Sequence, residues 1–114
     1  MDNQVISIDN GLVYFGGNKE MYKRALIRFS TSYNDMPDKL VELFDKNREE
    51  IKTKTHNIKS SAKMIGAESL YIIANRYDKL IRTEIENFTM ENVNEIAQEL
   101  NRVFACIEQK LEFI

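Results

Sequence analysis

The chain has 114 residues, 16 of them basic and 18 acidic, giving a formal charge of −2, and 43% are hydrophobic. That suffices for one domain with a single core, spanning residues 1–114, and leaves no room for a second. The near balance of charge excludes the global attraction for nucleic acid that a strongly basic domain has, and no apolar run approaches the roughly 18 residues needed to span a bilayer.

The amino-terminal string MDNQVISIDNGLVYFGG has no basic region followed by a sustained apolar run, so it does not read as a secretion signal. Gly16 and Gly17 then precede Asn18, a good N-cap for a helix carrying Met21, Tyr22, Ala25, Leu26 and Phe29 at helical spacing. This predicts a first long helix near residues 19–33. Asn34 or Asp35 can cap the next, with Pro37 in its first turn and Leu40, Val41 and Phe44 on its apolar face. Asp45 to Asn47 read as a joint. Arg48, Glu49 and Glu50 open the following helix with acidic side chains near its positive end, and Gly66 is placed to end or bend it.

Beyond Gly66, residues Leu70, Ile73, Ala74, Tyr77, Leu80 and Ile81 recur at three- and four-residue intervals, predicting a helix to about Thr83. Thr89 begins a last helix through an imperfect capping box, with Asn92 where Glu or Gln is usual. Val93, Ile96, Leu100, Val103, Phe104, Ile107 and Leu111 continue its stripe. Four long helices with short connections predict an all-α fold, an antiparallel four-helix bundle. The single cysteine, Cys106, lies in the run VFACI, which predicts a buried helix position, and a reducing cytoplasm is its simplest home.

The only histidine, His56, stands in the string HNIKSSAKMIGA. Counting about 100° per residue from it, Ile51, Ile58, Ala62 and Ile65 fall at roughly 220°, 200°, 240° and 180°. They form a core-facing stripe on the opposite side. Lys52, Lys59 and Lys63 fall within roughly 60° of the histidine, and Ser60 about 40° to the other side. An unperturbed imidazole, with a reference pKa of about 6.5, is largely neutral at pH 7 and nucleophilic. Lysines beside it could neutralise an added phosphoryl group. By spacing alone the residue is either an ordinary surface histidine or a reactive one. A metal site would need further ligands, and a Cys–His pair is disfavoured because Cys106 lies in an apolar stripe while His56 faces out.

His56, Ile58, Lys59, Ser61, Ala62, Ile65, Gly66 and Ala67 resemble the core motif of the histidine-containing phosphotransfer domains of bacterial, fungal and plant phosphorelays. Upstream, IDNGLVYFGGNKEMYKRALIRF is similar to the family's pattern of short helix, glycine pair and long helix. The resemblance implies a short additional amino-terminal helix on the bundle, with His56 as phosphoacceptor. Lys59 would steady the phosphoryl oxygens or orient the imidazole, and Lys63 would be a secondary contact, with Lys52 weaker. Where many members have glycine after the lysine, this chain has Ser60, small enough to leave the approach mostly open.

Gly66 and Ala67 are expected to serve the helix end and close packing. Met64, Ile6, Ile8, Leu12 and Phe15 are candidates for an apolar docking patch or for the core. Implied partners are response-regulator receiver domains, or a hybrid sensor histidine kinase carrying one, with magnesium on the receiver and no intrinsic cofactor. GGNKEM is not a GxxxxGK[ST] loop, and no GxGxxG follows a strand, so the reading is a monomeric phosphocarrier and not a kinase. The alternative is a helical adaptor that binds a receiver or another signalling protein without transferring phosphate.

Overall fold

The computed structural model describes residues 5–114; the first four residues of the amino-terminal string lie outside them. Among the described residues all regular structure is helical. The elements are α1 (Ile8–Val13), α2 (Lys19–Ser32), α3 (Met36–Lys46), α4 (Arg48–Ile65), α5 (Glu68–Thr83) and α6 (Met90–Lys110), with 3₁₀ turns at Ile85–Asn87 and Leu111–Phe113.

Local chemistry sets the boundaries. The Asn18 side chain accepts from the Met21 amide at 3.1 Å, and Asn47 accepts from the Glu50 amide at 3.1 Å, so each satisfies an otherwise unpaired amide of the first turn. The box at Thr89 is complete: its hydroxyl accepts from the Asn92 amide, and the Asn92 side chain accepts from the Thr89 amide. An amide oxygen thus does what a carboxylate usually does there. Asp35 occupies the cap position of α3 without a side-chain capping bond, and Pro37 sits in the first turn. The joint expected over 45–47 contracts to Asn47 alone.

α4 and α5 form the most extensive pairing, followed by α3 with α6 and α5 with α6, while α2 touches α4 and α6 more sparingly. Tyr22, Leu26, Leu40, Ile51, Ile58, Leu70, Val93, Ile96 and Leu100 lie in the shared core. Met21 and Val41, expected on apolar faces, are exposed. Each lies about 100° around its helix from the buried neighbour that centres the stripe, Tyr22 or Leu40. Cys106 is half-buried, not buried, for the same reason: Val103 and Ile107 hold the centre of the α6 stripe.

α1 closes the carboxyl end of α4. The Ser7 amide donates to the Gly66 carbonyl at 2.7 Å, Asn10 hydrogen-bonds Glu68, and the Tyr22 hydroxyl donates to the Ile65 carbonyl at 2.7 Å. Burial, with a smaller contribution from Cys106, pushes the Tyr22 phenol up to about 12, so it stays a donor. Gly11 is buried between Tyr22 and Ile65, where an added Cβ would come within 2.4 Å of the tyrosine ring. Gly66 ends α4 at φ 79°, a left-handed conformation. Ile6, a docking candidate by sequence, is only 2% exposed and belongs to the core, whereas Ile8, Leu12 and Phe15 are half-buried against it. No helix among the described residues is long and apolar enough to cross a membrane.

Candidate functional site

α4 has two unlike faces. Ile51, Ile58, Ala62 and Ile65 are buried as the projection requires, and the His56 side chain on the far face is 55% exposed. Packing does not hold that imidazole. α5 does so from one side. Gly66 and Ala67 turn the chain back so that α5 runs against α4, which brings Lys63 to Tyr71 and His56 to Asp78.

Asp78 is the hub of the site. Its side chain is 1% exposed, and the Oδ2 atom receives Lys59 Nζ at 2.9 Å and Arg82 at 3.1 Å, and lies 3.5 Å from His56 Nδ1. The Arg82 Nε also donates to the Asp78 carbonyl at 3.3 Å. The other carboxylate oxygen, Oδ1, is buried with no hydrogen-bond partner among the described residues. Burial pushes the Asp78 carboxyl upward. Hydrogen bonds from Lys59 and His56 and the charges of Lys59 and Arg82 outweigh it, holding the group below the usual carboxylate range. Asp78 is therefore an ionised acceptor, which favours the imidazole tautomer with its proton on the Nδ1 that faces it. In that tautomer the Nε2 lone pair is free.

The lysines divide differently from the expected ring of three around the imidazole. Lys59 is half-buried with its ammonium on Asp78. Lys63 is exposed, its ammonium 5.1 Å above the Tyr71 ring, and Lys52 makes no ion pair among the described residues. A buried carboxylate one helix away outcompetes water for the nearest ammonium, which a wheel of α4 alone does not show. Ser60 turns back to its own helix, its hydroxyl donating to the His56 carbonyl at 3.4 Å. Gly66 and Ala67 are buried at the helix end.

Asp78 and Arg82 are the site residues absent from the sequence reading. Asp78 lies eight residues after Leu70 and four after Ala74, inside the buried stripe of α5. An acid at an apolar position requires a partner, and that demand was the available signal.

Replacing Lys59 by methionine removes the shortest contact to Asp78 but leaves Arg82, and is expected to cost about 1–2 kcal/mol. Because the Asp78 carboxyl is lowered in the folded state, its stabilising effect is complete above the unfolded value of about 3.9 and is lost as pH falls through the folded value. The acid-unfolding midpoint of the variant should therefore move to higher pH. An acid titration followed by circular dichroism measures this, and an unchanged midpoint would remove Lys59 from the hub.

Between α2 and the carboxyl-terminal part of α4, lined there by Ser61, Met64 and Ile65, runs an open groove of about 490 Å³. Phe15, Met21, Ala25 and Met64 give it an apolar lining, and Arg24 and Arg28 stand along it. Met64, a sequence candidate for docking, is 46% exposed here. Neither arginine has a salt bridge among the described residues. Tyr33 and Ser61 hydrogen-bond across the same groove at 3.0 Å. No family model, no curated protein and no solved structure matches the chain.

Proposed function

We propose that the protein is a phosphocarrier of a phosphorelay, in which His56 accepts a phosphoryl group from a receiver-domain aspartate and passes it to the aspartate of another receiver. The observation that carries this reading is the pairing of an exposed imidazole with an ionised, buried Asp78 at its Nδ1 edge, which leaves Nε2 pointing away as the nucleophile. In the forward step the Nε2 lone pair forms the N–P bond as the receiver's acyl O–P bond breaks, and the receiver aspartate leaves as a carboxylate. The reverse step returns the group.

Lys59 and Arg82, both held on the Asp78 carboxylate that faces His56, would offset phosphoryl charge. The receiver brings its own magnesium ion. Its apolar surface would lie in the groove of Phe15, Met21, Ala25 and Met64, and carboxylates on it would meet Arg24 and Arg28. In this reading α2 and α3 form one bent rod that completes an antiparallel four-helix bundle with α4, α5 and α6, capped by α1. The protein acts as a cytoplasmic monomer.

The test is transfer of labelled phosphate from a panel of phosphorylated receiver domains, resolved under conditions that preserve acid-labile phosphohistidine. Label mapping to the His56 peptide is expected with at least one receiver. Docking of receivers without label would instead favour the adaptor, which the same groove could serve.

A further inference from the structure

Asp78 faces the ring nitrogen that does not react. We propose that it retains the proton on His56 Nδ1 throughout the transfer cycle, so that phosphohistidine is held as an imidazolium and is a short-lived carrier, not a store of phosphate. This deepens the reading above and rests on His56 being able to carry a phosphoryl group.

The form that reacts as a nucleophile is the neutral ring with a proton on Nδ1 and a lone pair on Nε2. Bonding phosphorus to Nε2 leaves a ring cation that still bears the Nδ1 proton. Two fates then follow: the ring loses that proton and becomes neutral, or it keeps it. Cleavage of the N–P bond returns the electron pair to Nε2. From the cation the departing group is neutral imidazole, whereas from the neutral ring it would be the far more basic imidazolate. Retaining the Nδ1 proton therefore makes the N–P bond labile both to water and to a receiver carboxylate. In hydrolysis the water oxygen bonds to phosphorus, inorganic phosphate departs with both water protons, and the ring is left in its starting tautomer. No proton has crossed the imidazole.

The charge around the ring favours retention. Lys59 on α4 and Arg82 on α5 together exceed the charge of Asp78 by one. No charged side chain of α1, α2 or α3 is hydrogen-bonded or ion-paired to this cluster among the described residues. A phosphoryl group adds about −1.5 to −2, which turns that balance negative, to about −0.5 to −1 with a neutral ring, and so favours a cationic one. The unpartnered Oδ1 gives Asp78 spare acceptor capacity in a buried setting, where an unmade hydrogen bond is costly. The 3.5 Å contact has room to shorten once the donor becomes charged.

The experiment uses potassium phosphoramidate, a small donor that needs no receiver, on protein carrying ¹⁵N-labelled histidine. At pH 8, well above the ordinary histidine range of about 6.5, Nδ1 of phosphorylated wild-type protein should show the ¹⁵N shift of a protonated nitrogen. In Asp78→Asn it should show that of a bare one. The Asp78→Asn phosphohistidine should also outlive the wild-type one by about tenfold, the equivalent of one pKa unit.

A bare Nδ1 in phosphorylated wild type overturns the proposal whether or not the variant folds. Equal half-lives in two folded proteins overturn it as well, as does failure of phosphoramidate to label wild-type His56. Labelling by phosphoramidate with a protonated Nδ1, but no transfer from any receiver, would uphold the inference while sinking the relay role.

Discussion

Replacing His56 by alanine is expected to abolish labelling by every phosphorylated receiver while moving the melting temperature by no more than roughly 4 °C. The two halves of this expectation have separate origins. The imidazole is more than half exposed and takes no part in the apolar face of α4, so its removal opens no cavity. Alanine is the best helix former, and Asp78 keeps Lys59 and Arg82 when its longest contact is lost. Chemistry has no such reserve: His56 is the only histidine in the chain, and no other nucleophile among the described residues shares its position beside Asp78. Label persisting on a folded variant would place the acceptor elsewhere and end the relay reading. Receiver binding that survives the substitution, with no label on wild type either, would identify an adaptor.

Gly66→Ala should be the most damaging of the small substitutions, costing about 3–5 kcal/mol. Part of this is the left-handed backbone at φ 79°, which costs a side-chain-bearing residue on the order of 1 kcal/mol. The larger part is steric: an added Cβ would stand 2.1 Å from the Ser7 carbonyl oxygen and 2.9 Å from the Gly11 amide nitrogen. Both are backbone atoms, and Ser7 is tied to Gly66 by its own hydrogen bond, so neither can yield without releasing α1. Gly17 supplies the control. It has a similar φ of 78° but open space around the missing Cβ, so Gly17→Ala should cost only the backbone share. Urea denaturation of both variants separates the two contributions, and equal losses would refute the steric account. Against a total stability of about 5–15 kcal/mol, the Gly66 variant should be partly unfolded at physiological temperature.

The helices were legible because their boundaries are written locally. Asn18, Pro37, Gly66 and Thr89 each act within a turn of their own position, and helical spacing places Ile51, Ile58, Ala62 and Ile65 on one side and His56 on the other. What was not legible depends on a neighbouring helix. Lys59 reads as a free cation until α5 brings Asp78 to it across 19 residues of chain. Ile6 reads equally as a docking or a core residue, and its burial settles the choice for the core. Met21 and Cys106 show the limit of an apolar stripe, whose edge is set by how closely the facing helix approaches and not by composition.

α1 has six residues, too few to persist as a helix by itself in water. Its backbone and side-chain bonds reach Gly66 and Glu68, nearly sixty positions further along the chain. It therefore cannot form before the corner between α4 and α5 exists, although it precedes that corner in the chain. Until α1 locks, the Gly66 corner stands uncovered. That makes the junction of α1 with this corner the natural place for the native structure to open locally, at a free energy below that of global unfolding.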